Sequence, residues 1–137
     1  MTGPGPYPEL AEKIERARRL MQACDLCEWR CRANRAAGEQ GLCRLGADAY
    51  CYRELLHFGE EIELVPSHTI YLSGCNLRCC FCSDWAQVES TVHGRKAEPA
   101  WLAERIMARR AEGARNVNFV GGEPTVNLLP ILEALRL

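Results

Sequence analysis

No stretch of the chain approaches the roughly 18 consecutive apolar residues that a membrane-spanning helix requires. Neither sign of charge is in surplus: 17 basic residues against 18 acidic ones leave a formal charge of −1. The composition therefore gives no electrostatic reason to expect a nucleic-acid or membrane partner. The first residues, Met1-Thr2-Gly3-Pro4-Gly5-Pro6, lack the basic-then-apolar order of a secretory signal, and a cytoplasmic protein is expected. That compartment keeps thiols reduced. The nine cysteines are also an odd number that pairing could not exhaust. Disulfides are a poor account of them, and metal or cluster binding is a better one.

What is present is otherwise ordinary. The chain has 137 residues, 47% hydrophobic and 26% charged, which suits one domain or one domain plus a small module. After a Pro/Gly-rich tail over residues 1–7, the spacing of Leu10, Ile14, Ala17 and Met21 predicts a helix from Pro8 to about Ala23 with one apolar stripe. Glu12, Lys13, Glu15, Arg16, Arg18 and Arg19 would form its solvated face. Residues 50–65 read as two short strands joined near Phe58-Gly59-Glu60, and Thr69 to Leu72 as the first strand of the main domain. Residues 83–98 are polar and irregular and read as a loop at a strand end. Pro99 then starts a helix ended by Gly113, and Asn116 to Val120 reads as a second strand. Strand, crossover helix and strand make a parallel βαβ unit. A last helix begins near Asn127 or Leu128.

Cys24, Cys27, Cys31 and Cys43 have the spacing C-x2-C-x3-C-x11-C around a glycine-containing loop. Four thiols so close in sequence suggest one closed four-thiolate zinc site or one iron–sulfur cluster, and the spacing does not choose between them. Unliganded packing is the bland account. Cys51 reads as a core residue, Trp29 as a cap over this segment, and His57, His68 and His93 as surface or hydrogen-bonded residues.

Cys75, Cys79 and Cys82 have the spacing C-x3-C-x2-C, three thiols within eight residues directly after a strand. Three thiolates on a short wrapping loop can hold three corners of a cuboidal iron–sulfur cluster, leaving the fourth iron open for a ligand. Cys80, outside this spacing, reads as a packing residue. The second predicted strand runs into Gly121-Gly122-Glu123-Pro124-Thr125. Two glycines at a strand end allow close backbone approach to a ligand. A carboxylate beside them can accept hydrogen bonds from an ammonium group.

With both motifs in view, the sequence resembles the radical S-adenosylmethionine (SAM) enzymes. Within them, residues 24–137 are similar to uncharacterised homologues of pyruvate formate-lyase-activating enzyme, on Leu56-His57-Phe58-Gly59-Glu60-Glu61, Leu72-Ser73-Gly74-Cys75-Asn76-Leu77-Arg78-Cys79 and Asn116 to Thr125. The resemblance implies an α/β fold: the N-terminal portion of a partial (β/α)6 barrel over residues 52–137. A tail and helix (1–23) and a small cysteine-rich module (24–51) would precede it. It implies a 4Fe–4S cluster on Cys75, Cys79 and Cys82. SAM would lie against Phe81, Gly121, Gly122, Glu123 and Pro124, with zinc or an auxiliary cluster on Cys24, Cys27, Cys31 and Cys43. The implied activity is reductive cleavage of SAM to methionine and a 5′-deoxyadenosyl radical that removes a hydrogen from substrate. A glycyl-radical enzyme is the favoured protein substrate, and a flavodoxin or ferredoxin the electron donor. Only two barrel strands fall inside the sequence, so a fragment with open sheet edges is expected. The rival class is a non-catalytic cysteine-rich module, binding zinc or transferring electrons. It accounts for the first four cysteines equally well, and not for a three-cysteine loop followed by a glycine-rich carboxylate turn.

Overall fold

The computed structural model describes residues 8–137, so the expected tail over residues 1–7 lies outside it. Helix α1 (Pro8–Gln22) and a short 3-10 turn (Arg35–Ala37) precede strand β1 (Tyr50–His57). Strand β2 (Ser67–Leu72), the one-turn helix α2 (Trp85–Val88), the two-residue strand β3 (Arg95–Lys96) and helix α3 (Pro99–Ala111) follow. Strand β4 (Asn116–Gly121), a 3-10 turn (Pro124–Asn127) and helix α4 (Leu128–Arg136) complete the chain. The four strands form one sheet in the order β3-β1-β2-β4. β2 and β4 are parallel, with Leu72 opposite Gly121. β1 runs antiparallel to both β2 and β3.

The parallel pair follows from the βαβ logic of the sequence. Ile70 and Leu72 point to the helical side of the sheet, where they are fully buried with Leu102 of α3 and Ile131 of α4. Pro99 opens α3, at a position where a missing N–H costs nothing. Gly113, with φ of 102°, turns the chain out of it. The stripe of α1 is buried as its spacing requires: Ile14, Ala17 and Met21 pack on Leu129, flanked by Leu128 and Leu132. The six charged residues assigned to its outer face are all exposed.

Two expectations are corrected. The hairpin over residues 50–65 does not form; only its first strand, β1, exists, and its partner is β2. Ile62 and Leu64, which fall in the would-be second strand, are exposed at 78% and 45%. Pairing with β2 buries Ile70 and Leu72 completely, a larger gain than residues 62–65 could offer. The backbone of that segment is satisfied by side chains instead. Arg115 donates to the carbonyls of Ile62 and Glu63, and Asn116 to that of Leu64. The loop at 83–98 is also less irregular than its composition suggests. It contains α2 and β3, and β3 adds to the β1 edge.

A partly buried ion network fixes α3 to the sheet. Glu54 of β1 accepts from Arg105 Nη2 at 2.6 Å and from Arg109 Nε and Nη2, both at 2.9 Å. It also faces His68 Nε2 at 2.9 Å. Burial disfavours the Glu54 carboxylate, but the hydrogen bonds from Arg109 and Arg105 outweigh it and hold its pKa at about 2, against an ordinary 4.5. Burial also pulls His68 below its usual range. Nε2 of the neutral ring must then donate, because an ionised carboxylate only accepts. A depressed folded-state pKa contributes stability that is fully present above 4.5 and is lost as the pH falls through about 2. Thermal melts from neutral to acid pH should show this limb. E54Q should lower stability at neutral pH by about 2 kcal/mol and flatten the limb; an acid limb unchanged in E54Q would show that Glu54 is not its source.

Candidate functional site

Because β2 and β4 are parallel neighbours in register, their C-terminal ends emerge side by side. The three-cysteine loop leaves the first and the Gly121-Gly122-Glu123 turn leaves the second. Two backbone hydrogen bonds join them: Gly122 N–H donates to Leu72 O at 2.7 Å, and Glu123 N–H to Gly74 O at 3.1 Å. A Cβ on Gly122 would run into the Gly74 carbonyl and lie 2.9 Å from Leu72 O. Gly121 has φ of 83°, and a Cβ there would sit 2.5 Å from Tyr52 Oη. The first demand on Gly122 is thus close approach of one backbone to another, and that on Gly121 is its left-handed backbone beneath the Tyr52 phenol.

The loop and the turn line one cleft of about 120 Å³, open to solvent, whose walls include Cys75, Cys79, Cys82, Gly121, Gly122 and Glu123. Arg44, Arg78, Leu77 and Trp85 complete much of its rim. Arg44 reaches it from the first cysteine segment, lies over the Trp85 ring at 5.9 Å, and donates to Glu89 O at 3.1 Å. Nothing in the sequence pairs Arg44 with a loop so far downstream. The phenol of Tyr52, whose oxygen is buried without a partner beneath this end of the sheet, is a second residue that no motif marks. Burial pushes its pKa up, with Asp84 adding to the shift, so it stays protonated.

Within the loop, Cys75 Sγ accepts from the Leu77 N–H at 3.4 Å, and Cys82 N–H donates to Cys79 O at 3.2 Å. Arg78 adopts φ of 51°, which curls the chain between the first two cysteines. Among the described residues, no three or more His, Cys, Asp or Glu side chains converge into a metal-binding arrangement. The donor set nonetheless fits an iron–sulfur cluster, since three thiols on one loop face one cleft and thiolates are the usual ligands of such clusters. Glu123 is half-buried, and its Oε1 accepts from the Thr125 N–H at 3.0 Å and Thr125 Oγ1 at 2.7 Å, capping the turn that Pro124 begins. Pro124 is not part of the cleft wall, and neither is Phe81, which is 85% exposed. Cys80 is exposed and does not pack, contrary to expectation.

The first cysteine segment packs directly behind this site. Cys24 and Cys43 are buried, Cys27 is half-buried and Cys31 is exposed. Gly41 lies between the sulfurs of Cys31 and Cys43, so that a Cβ there would be 3.1 and 3.5 Å from them. A backbone hydrogen bond at Ala33 lowers the pKa of Cys31, whereas burial raises that of Cys43. Trp29 is 58% exposed, and its Nε1 donates to Asn76 O at 2.8 Å, so it ties the segment to the three-cysteine loop. Cys51 is buried in the main core on β1, as expected.

The model of the Radical SAM superfamily matches residues 69–137. An uncharacterized protein of Methanocaldococcus jannaschii is 43% identical over 129 residues, covering 90% of this chain and 37% of that protein. The chain thus spans well under half the length of that relative. No solved structure matches it. The matched segment contains β2, the three-cysteine loop, the crossover, β4 and the glycine–carboxylate turn, and the chain belongs to the radical SAM superfamily.

Proposed function

We propose that Cys75, Cys79 and Cys82 hold a 4Fe–4S cluster, that SAM binds against Gly121, Gly122 and Glu123, and that the chain carries the cofactor-binding part of a radical SAM enzyme. The observation that carries this reading is that the three thiols and the glycine–carboxylate turn line one cleft. Superfamily membership supports the cofactor pair. When bound, the cluster supplies one electron to the sulfonium of SAM, the chemistry from which a 5′-deoxyadenosyl radical arises.

The chain's own groups bind and orient. Three thiolates hold three irons and leave one free for a non-protein ligand. Glu123 keeps Oε1 on Thr125, so Oε2 is the oxygen that accepts from the amino group of SAM. Gly121 and Gly122 keep the cleft floor free of side chains. Leu77, Val88 and Trp85 supply the apolar part of the cleft wall. Phe81 and Pro124 lie outside the cleft wall, and their proposed contact with SAM rests on the sequence resemblance alone.

The favoured substrate is a glycine of a partner glycyl-radical enzyme, with a flavodoxin or ferredoxin as electron donor and a cytoplasmic setting. Support for these finer points is the sequence resemblance. No helix among the described residues is long and apolar enough to cross a membrane.

Anaerobic reconstitution with iron and sulfide, followed by equilibrium dialysis of SAM, tests the assignment. E123Q preserves an acceptor for Thr125 and should therefore keep its cluster while binding SAM about tenfold more weakly, the loss of one charge-assisted hydrogen bond. C79S should lose both cluster and SAM binding. G122A should lose SAM binding and, because the new Cβ meets backbone at Gly74 and Leu72, should also be less stable by about 2–3 kcal/mol in a thermal melt. Unchanged SAM affinity in E123Q would favour a non-catalytic cysteine module, which is indifferent to that carboxylate.

A further inference from the structure

The buried side chain of Arg35 is unexplained by the site described so far. It is 1% exposed, the largest fully buried side chain among the described residues. Its guanidinium stays charged at any ordinary pH. Burying such a charge is costly unless an anion faces it. Yet its partners are two carbonyls and a thiol: Nε and Nη2 donate to Gly46 O at 2.9 and 2.7 Å, Nη2 to Val126 O at 2.7 Å, and Nη1 faces Cys24 Sγ at 3.8 Å. The side chain also passes Gly41, whose hypothetical Cβ lies 3.7 Å from Arg35 Cδ and against the sulfurs of Cys31 and Cys43. The one ionisable group among its hydrogen-bond partners is the Cys24 thiol.

We propose that Cys24, Cys27, Cys31 and Cys43 form a closed site for a single tetrahedral metal ion of the zinc type, and that Arg35 balances its charge while clamping the Gly121–Val126 turn. Four thiolates around a divalent ion leave a dianion, and a buried guanidinium offsets part of it. A structural zinc site is closed, with all four positions taken by protein, and this segment supplies four thiols. Three of the four thiols gather round the Arg35 side chain: Cys24 Sγ lies 3.8 Å from Nη1, and Gly41, beside Arg35 Cδ, sits against the sulfurs of Cys31 and Cys43. Cys27 lies on the same loop, turned by the bond from Arg30 N–H to Cys27 O at 3.0 Å. Arg30, Arg32 and Arg44 each adjoin a cysteine of the set and have φ of 43°, 59° and 64°. Such backbone persists where its surroundings enforce it.

The consequence for the cleft runs through Val126. Its carbonyl belongs to the 3-10 turn that Glu123 caps. Arg35 holds that carbonyl from one side, and the Gly122 and Glu123 amides hold the turn from the other. Losing the ion leaves Arg35 facing reduced negative charge, and the clamp loosens. The effect on SAM rests on the function proposed above; metal binding and the mobility of the turn do not.

The test uses the whole chain with Cys75, Cys79 and Cys82 changed to alanine, so that only the first set can bind. Titration with Co2+ should give sulfur-to-cobalt charge-transfer absorption saturating at one ion per chain and displaced by zinc. R35Q should weaken Co2+ binding by about tenfold to a hundredfold, the usual effect of removing an outer partner of a metal site. R35K keeps the charge without the fork, and should retain most of the metal affinity. Hydrogen exchange of the Gly122, Glu123 and Val126 amides should quicken at least several-fold in R35K, and in the parent chain when a chelator removes the metal. Absence of the thiolate band, equal Co2+ affinity in R35Q, or exchange at the turn indifferent to metal would overturn the proposal. Uptake of iron with sulfide in place of one ion would overturn the single-ion assignment. None of these readouts needs SAM, so failure of SAM to bind wild-type protein would count against the cofactor site alone.

Discussion

The close backbone contact at Gly122 is the constraint on which the site depends. Its N–H reaches the Leu72 carbonyl, the next amide reaches the Gly74 carbonyl, and no room is left for a side chain. Parallel pairing of β2 and β4 brings the strand ends together; these two bonds turn adjacency into a fixed relation between the cysteine loop and the carboxylate turn. The crossover through α3 is needed because parallel strands cannot be joined by a tight turn. In turn α3 is fixed to β1 by Glu54, Arg105 and Arg109. The sheet therefore serves to aim two loops at one cleft.

A second layer of support comes from the first cysteine segment. Leu45 packs where a Cβ on Gly74 would fall, Trp29 holds the Asn76 carbonyl, Arg44 enters the cleft, and Arg35 holds the Val126 carbonyl. Both loops of the cleft thus lean on the same small segment. This gives residues 24–51 a physical role in the site whatever they ligate. Helix α1 contributes from further out, by packing its stripe on α4 immediately after the turn.

Much of this was legible in the sequence where one local signal was strong. The stripe of α1, the Pro99 start and Gly113 stop of α3, and β4 running into two glycines all lie where their patterns predict. The cysteine loop and the Gly121–Glu123 turn stood out by their spacing and their glycines, and the βαβ reading made the strands that carry them a parallel pair, as they are. What was illegible depends on choices between distant segments. Residues 62–65 have strand-like composition, but β2 offers β1 a fully buried partner and wins it. Phe81 carries the expected aromatic character and yet points to solvent. Arg35 lies in an arginine-containing polar stretch that reads as loop, and nothing local marks it as the largest of the fully buried side chains among the described residues. Ion networks such as Glu54–Arg105–Arg109 join residues some fifty positions apart and have no sequence signature.

The central claim is that the cysteine loop and the glycine–carboxylate turn serve one cofactor assembly in one cleft. Electron paramagnetic resonance of the anaerobically reconstituted, reduced chain, recorded with and without SAM, tests it most directly. A cluster signal whose line shape changes on adding SAM is the predicted result, because SAM would meet the iron that protein leaves free. A cluster signal identical in both spectra, or a chain that takes up zinc and no iron, would contradict it.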